Sequence, residues 1–301
     1  MNSTLLLLGL LDGITQAAVL FLVALGMTLI FGVMRILNVA HGSLYAFGGY
    51  AAASVGAHLT AGTESLAVAL LALVAGAVAM GLLLGAVIEF ALVRRILDMD
   101  PAMQLLATFA VFLILEDAQR LIWGASPVSV TTAVDLMGTV RVGAVTYNAY
   151  QLLMLPAVAV AVYVALTWSL GRTRFGRQVL AVTHSREVSM AMGINARRIG
   201  FLTFCLGAVL GTLGGALASP TTSLVPGIGG DMMVLSFAVV AVAGLGQITG
   251  TAVAAVLIGL TRAFAVYLWP EVEVLVPYLI MVLVLLWRPE GLFAVAQARR
   301  V

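Results

Sequence analysis

The chain of 301 residues is 62% hydrophobic and only 9% charged, and its mean hydropathy is +1.14. Soluble domains are about 45–50% apolar and about 25% charged, so this composition excludes an ordinary soluble domain and indicates a polytopic membrane protein. All fifteen basic residues are arginines, the net charge is +2, and no basic aromatic surface indicates binding to nucleic acid.

Stretches long enough to cross a bilayer, which needs about 20 mostly apolar residues, recur along the whole chain. They fall at 5–33, 37–57, 65–92, 102–122, 149–170, 199–219, 232–247, 250–268 and 274–288. We expect an all-α transmembrane helix bundle forming one domain over residues 1–301. It should have about eight to nine spans, some of them broken or re-entrant.

The segment after the first span is interrupted, and so is a segment near the end of the chain. Residues 32–49 and 244–259 each hold four glycines among polar residues. Paired, interrupted hydrophobic segments point to a transport site between repeats, because irregular backbone at membrane depth must line a cavity or be buried in protein. The candidate pathway residues are Asn38, His41, Ser43, Gly48, Gly244, Gly246, Gln247 and Thr251.

These residues also have structural interpretations. A buried histidine such as His41 is more often a satisfied structural group than a ligand. Asn38 and Ser43 could break or cap helices instead of contacting a substrate, and the glycines permit close packing of helices.

Charged residues near spans should face protein or water and be paired. Glu116 and Arg120 are spaced i, i+4 and can pair on one helix face. Arg262 lies inside the eighth span, and we expect Asp117 or Glu116 to be its partner.

Two connecting segments are long. Residues 123–148 are rich in Val, Thr and Gly, which suits a small β-hairpin over the outer mouth. Residues 171–198 collect six arginines and include "SREVSMAMG" at 185–193. Ser185 can cap a short helix and Gly193 can end it. Such a helix either lies on the membrane surface or docks into another protein.

Arginine placement predicts the orientation, because cytoplasmic loops carry an excess of basic residues. If the 171–198 segment is cytoplasmic, alternation of nine spans puts twelve arginines inside and three outside or within a span. The inner set is Arg35, Arg94, Arg95, Arg172, Arg174, Arg177, Arg186, Arg197, Arg198, Arg288, Arg299 and Arg300. The N-terminus is then outside and the C-terminus cytoplasmic.

The 171–198 segment resembles the cytoplasmic EAA-type loop of ABC-importer permeases, although the family's "EAA" begins here as Glu187-Val188-Ser189. Three further stretches are similar to LivH-type permeases of the bacterial high-affinity branched-chain amino-acid (LIV-type) ABC importers. They are "ALGMTLIFGVMRILNVAHGSLYAFGGYAAA" at 24–53, "AVAGLGQITGTAVAAVLIG" at 241–259 and "LLWRPEGLF" at 285–293. Gln247 departs from the small serine-containing turn that is more frequent in the family.

The resemblance implies a permease subunit in the bacterial inner membrane that works by alternating access. The implied partners are a LivM-like second permease, two ABC ATPase subunits that bind ATP and Mg²⁺, and a periplasmic binding protein. This chain itself would carry no cofactor. The ATPase-coupling residues implied are Glu187, Val188, Ser189, Met190, Ala191, Met192, Gly193 and Ile194.

Branched-chain or other hydrophobic amino acids are the expected substrates, with urea, short amides and small aromatic acids as alternatives. Two other classes compete with this interpretation: a secondary transporter that needs no ATPase, and a scaffold subunit without a pathway. The chain lacks lysine, so it cannot contain the P-loop motif that binds ATP. No catalytic pair and no metal-ligand spacing stands out, so we do not expect an enzyme.

Overall fold

The computed structural model describes residues 3–60, 65–143 and 145–293, and nearly all of the secondary structure in these ranges is helical. The helices are α1 (Ser3–Met34), α2 (His41–Leu59), α3 (Leu66–Ile88), α4 (Arg94–Ile96), α5 (Pro101–Trp123), α6 (Thr132–Met137), α7 (Leu155–Arg172), α8 (Arg174–His184), α9 (Arg186–Ala191), α10 (Ala196–Ala218), α11 (Ile228–Ala243), α12 (Ile248–Leu268) and α13 (Val276–Trp287). π-Helical turns at Glu89–Val93 and Tyr150–Met154 join α3 to α4 and lead into α7.

The predicted helical class is confirmed, and each of the nine apolar stretches falls on a helix. Within the described residues, five helical segments are long and apolar enough to cross a membrane: Thr4–Met34, Leu66–Ile96, Tyr150–Arg172, Ala196–Ala218 and Ile248–Leu268. The helices α11 and α13 are apolar but shorter. The chain is therefore a multi-pass membrane protein. Arg299 and Arg300, which were expected at the inner face, lie outside the described residues.

The second predicted span begins four residues later than expected. The backbone of residues 35–40 is not helical, Arg35 has a φ of 58°, and α2 begins at His41. Thr108 on α5 contacts this break: its hydroxyl oxygen accepts from the Val39 amide at 3.4 Å and lies 3.3 Å from the Leu37 carbonyl oxygen. The interruption predicted after the first span is thus confirmed as a break in the helix.

The expected hairpin is present. Strands β1 (Thr139–Val142) and β2 (Val145–Asn148) pair antiparallel, with Thr139 opposite Asn148. The hairpin sits beside the start of α1, where the Tyr147 hydroxyl donates to Asp12. We call this end of the bundle the hairpin end, and the opposite end, which carries α8 and α9, the α9 end.

The helix α1 is the central element of the bundle, since its middle section from Leu22 to Leu25 is fully buried. A helix that is apolar all round must be covered on every side. Here α12 covers one side and α10 the other. Close approach depends on small residues: a Cβ atom on Gly259 would lie 2.6 Å from the Ala17 amide nitrogen.

The helix contacts repeat in two halves. In the first half, α1 packs along α12, and α2 contacts α3 and α10. The second half repeats this pattern: α10 packs along α3, and α11 contacts α12 and α1. Gly26 meets Gly207 and Gly214 meets Val23, so α1 and α10 run antiparallel. Helices α1–α3 and α10–α12 are therefore related as inverted halves, a common plan in transporters.

This pairing corrects one expectation. The counterpart of the break at 35–40 is the α10–α11 connection at 219–227, and the break at 244–247 corresponds to the α2–α3 connection. The two glycine-rich segments that the sequence pattern paired are therefore not equivalent, although they touch, with Gly32 against Gly246.

Candidate functional site

The exposed helix α9 is built by local signals that the sequence contains. The Ser185 hydroxyl accepts from the Val188 amide at 3.4 Å and caps its start. At its end, Gly193 has a φ of +83°, and the Ile194 amide donates to the Ser189 carbonyl at 3.0 Å. A glycine in the left-handed conformation closing such a bond is a Schellman stop. The predicted short helix with this cap and this stop is confirmed.

Exposed apolar side chains lie on α9 and at its C-cap, Met192. Val188, Met190 and Met192 are 62%, 50% and 78% exposed, and Ser189 is the only buried residue between 186 and 193. The six arginines between 172 and 198 are all exposed as well. Exposed methionines form adaptable docking surfaces, so this patch can accept a partner surface.

The predicted pathway residues of the first segment are buried against other helices. The His41 ring lies against Gly26 and Gly211, and its Nε2 is 2.9 Å from the Val23 carbonyl oxygen. The Ser43 hydroxyl donates to the Phe112 carbonyl at 3.4 Å. Asn38 is 2% exposed, and neither polar atom of its amide has a hydrogen-bond partner within the described ranges.

The second segment is packed in the same way. The Thr251 hydroxyl is 2.8 Å from the Thr28 hydroxyl. A Cβ atom on Gly246 would lie 3.2 Å from the Gly32 Cα, and in the first segment a Cβ atom on Gly48 would lie 2.0 Å from the Thr212 carbonyl oxygen. Gln247 is partly exposed.

The stretch at 285–293 packs against the end of α11 and fixes the position of Gly244. The backbone amides of Leu292 and Phe293 donate to the carbonyls of Val242 and Ala243 at 2.9 and 3.0 Å, and this brings Gly291 against Gly244. Residues 285–293 therefore satisfy the last carbonyls of α11, which would otherwise have no partner inside their own helix.

A cavity of about 360 Å³ opens at the hairpin end. Small-molecule pockets span about 300–1,000 Å³. Its walls come from α1, α2, the turn before α7, the α10–α11 connection, α11 and α12. They are formed by Asp12, Thr15, Gln16, Val19, Leu20, Tyr45, Gln151, Leu155, Ala218, Thr221, Thr222, Ile228, Asp231, Met232, Leu235 and Arg262. None of the eight predicted pathway residues lines it.

Two tyrosines hold the carboxylate of Asp12 at one wall. The Tyr147 hydroxyl donates to Oδ1 at 2.5 Å, and the Tyr267 hydroxyl donates to Oδ2. Burial and the neighbouring Asp12 carboxylate both raise the pKa of Tyr147 above its usual value. The phenol therefore remains a proton donor that orients the Asp12 side chain.

The pairing of Arg262 differs from the sequence expectation. Its guanidinium donates to Glu273 Oε1 from Nε at 3.1 Å and from Nη2 at 2.8 Å. The expected partners Asp117 and Glu116 lie on α5. The turn at Pro270–Val272 instead brings Glu273 back beside α12. The predicted Glu116–Arg120 pair is confirmed at 2.9 Å.

Sequence reasoning missed the cavity residues because no local pattern marks them. Asp12, Asp231 and Arg262 are separated by as many as 250 residues, and each looks like an isolated charge in or beside an apolar run. The rule that ionisable residues inside spans are functional by default was the available signal, and it applied to Asp12 and Arg262.

Comparison with known proteins identifies the family of the chain. The family model described as "Branched-chain amino acid transport system / permease component" matches residues 9–285. The chain is 26% identical over 299 residues to the high-affinity branched-chain amino acid transport system permease protein BraD of Pseudomonas aeruginosa, covering 97% of both chains. It is 24% identical over 297 residues to the high-affinity branched-chain amino acid transport system permease protein LivH of Escherichia coli K12, covering 96% of both chains.

A more distant similarity concerns a different solute. The chain is 27% identical over 260 residues to the ribose import permease protein RbsC of Escherichia coli K12, covering 81% of this chain and 73% of that protein. The family consists of transport permeases rather than enzymes. With a family model that matches nearly the whole chain, this protein belongs to the permease components of the branched-chain amino acid transport systems.

Proposed function

We propose that this permease is a subunit of an ABC importer of the bacterial inner membrane that carries branched-chain or other hydrophobic amino acids. The names of BraD and LivH support the substrate class. A periplasmic binding protein would deliver the amino acid to the hairpin end. The observation that carries the importer assignment is α9, an exposed helix at the opposite end that presents Val188 and Met190 to solvent beside exposed arginines.

The proposed orientation puts the hairpin end, with residues 123–148, outside and the α9 end, with residues 171–198, in the cytoplasm. The exposed arginines beside α9 support it, because basic residues concentrate on the cytoplasmic side. Nine crossings then put the N-terminus outside and the C-terminus inside. In this arrangement α2 begins inside the membrane, where α1, α5 and α10 cover the irregular backbone before it.

In the proposed mechanism, α9 seats in a groove of a partner ATPase, which binds ATP and Mg²⁺. Two such subunits close on nucleotide and move α9, and α8 passes the movement to α7, α1 and α10, with which it is in contact. A LivM-like second permease completes the transport unit. Residues 38–48 and 244–251 are proposed for the inner half of the pathway, a role supported by the unpartnered amide of Asn38.

The docking role can be tested by co-purification of the assembled importer in mild detergent. Met192 is 78% exposed, so Met192→Glu leaves folding intact but puts a charge into the proposed interface, where an unpaired buried charge is costly. Gly193→Glu tests the same surface. Gln178→Glu is the matched control, since Gln178 is exposed on the neighbouring α8.

We expect the ATPase to stay with the wild type and with Gln178→Glu but to be lost from the α9 variants. Retention of the ATPase by both α9 variants would contradict docking at α9. A wild-type chain that purifies alone and still transports would favour a secondary transporter.

Solute uptake into proteoliposomes tests the substrate class. The complex should take up leucine only when ATP and the binding protein are present. The similarity to a ribose permease makes a sugar the main competitor, and urea, short amides and small aromatic acids complete the panel. Uptake of ribose without leucine would overturn the amino-acid assignment.

A further inference from the structure

The cavity at the hairpin end combines charged walls with unpartnered polar groups. Asp231 lies in the first turn of α11, lines the cavity, and has no hydrogen bond or ion pair to any residue that the structure describes. The hydroxyl of Tyr45 also has no partner there, although the residue is only 2% exposed and lines the same cavity. Gln16 adds a third group, because its Oε1 is buried and unpartnered.

Asp231 is exposed to the open cavity, whereas the buried Oε1 of Gln16 is costly in a membrane protein unless water or a ligand reaches it. Asp12 has a different environment: its carboxylate is oriented by two phenols but is not neutralised by a basic group. The charge of Arg262 is balanced by Glu273. Asp12 and Asp231 therefore leave the cavity with an excess of negative charge.

A solute that fits this electrostatic pattern has an ammonium group for the carboxylates. The Arg262 guanidinium donates to Glu273 through Nε and Nη2, and its Nη1 has no partner among the described residues. Nη1 can therefore donate to the carboxylate of a solute. The apolar part of the wall, which includes Leu20, Leu155 and Leu235, suits an aliphatic side chain. A small aromatic acid could pair its carboxylate with Arg262 but would leave Asp12 and Asp231 without a counter-charge, and a sugar would also leave both carboxylates unpaired.

Building on the proposed function, we propose that this cavity is a substrate-binding site within the single permease chain. It recognises the ammonium group of a zwitterionic amino acid through Asp231 and Asp12. Tyr45 is the single residue of 38–48 that lines the cavity, and none of 244–251 does, so the amino acid would stop here before it reaches the inner half of the pathway.

Protection of an engineered cysteine from labelling tests this site directly. Thr222 is exposed and lines the cavity, so Thr222→Cys in a Cys205→Ala background should react with a membrane-impermeant maleimide. The experiment uses the assembled complex in nanodiscs without the binding protein. The probes are leucine, leucinamide, which lacks the carboxylate, 4-methylpentanoate, which lacks the amine, and ribose.

We expect leucine to slow the labelling, leucinamide to retain part of the effect, and 4-methylpentanoate and ribose to have none. Asp231→Asn should raise the leucine concentration needed for protection at least tenfold, because a charge-assisted hydrogen bond to the ammonium is lost. This variant removes no internal contact of Asp231. Asp98→Asn, at an exposed position outside the cavity, should behave as the parent does.

The inference is overturned if 10 mM leucine gives no protection, if 4-methylpentanoate protects as well as leucine, or if Asp231→Asn changes nothing. These results are separable from failure of the proposed function. A complex that drives ATP-dependent leucine uptake but shows no protection refutes the cavity site alone. A complex that does not take up leucine at all refutes the amino-acid importer.

Discussion

Gly42 on α2 and Gly229 on α11 meet so closely that a Cβ atom on Gly42 would lie 2.1 Å from the Gly229 carbonyl oxygen. The contact joins the corresponding helices of the two inverted halves. It lies one turn from Tyr45 and next to Ile228, both of which line the cavity. The α2–α11 contact therefore supports the cavity where the two halves meet.

Gly42→Ala should destabilise the protein. The new methyl group would also come within 2.4 Å of the Met233 Cβ, and overpacking of this kind costs about 1–3 kcal/mol. Thermal unfolding of the purified complex should show a midpoint lowered by several degrees. Gly200→Ala is the control, because its nearest atom, the Met34 Cε, would be 3.5 Å away. Equal midpoints for the two variants would disprove tight α2–α11 packing.

His41→Ala should lower stability while transport persists in the folded fraction. The ring fills space between α1 and α10 and hydrogen bonds to the Val23 carbonyl, and truncation of large core side chains costs about 2–5 kcal/mol. His184→Ala, at an exposed position, should have no effect on the melting temperature. An unchanged melting temperature with loss of uptake would instead place His41 in the pathway.

Gly193→Ala should weaken ATPase retention because alanine strains the backbone at this position, not because its side chain is larger. A Cβ atom at this position would meet nothing within 4 Å, but the φ of +83° disfavours alanine by about 1 kcal/mol. Asparagine tolerates this conformation better, so Gly193→Asn should retain more ATPase in the same co-purification. If alanine and asparagine behave alike, the Schellman stop is not what positions α9.

Alkaline pH should destabilise the hairpin end through Tyr147. Its pKa is raised in the folded protein, so the folded state keeps the phenolic proton that the unfolded chain loses above about pH 10. The stabilisation that protonated Tyr147 gives the folded state is complete below pH 10 and is lost as the pH rises further. Melting curves from pH 7 to 11 should show this loss in the wild type and less of it in Tyr147→Phe. Identical pH profiles would remove Tyr147 as the cause.

Local patterns predicted the features that depend on neighbours in sequence. Apolar run lengths identified all nine helical stretches, β-branched residues with glycine identified the hairpin, and Ser185 with Gly193 marked the ends of α9. Caps, turns and spans are governed by interactions within a few residues. The polar interruption after the first span was visible, but its extent was not, because the contacts of residues 37–39 are with Thr108 on α5, about 70 residues away in sequence.

The sequence by itself determined that this chain is an all-α membrane permease with an exposed helix between two long spans. Only the tertiary structure decided how the two halves pair, that Arg262 contacts Glu273, and that Asp12 meets Tyr147 and Tyr267. The physical reason is that apolar periodicity shows that a helix is buried but not against which helix it packs. That choice depends on the fit of small residues such as Gly42 and Gly229 across helices, and it places the charges of the cavity.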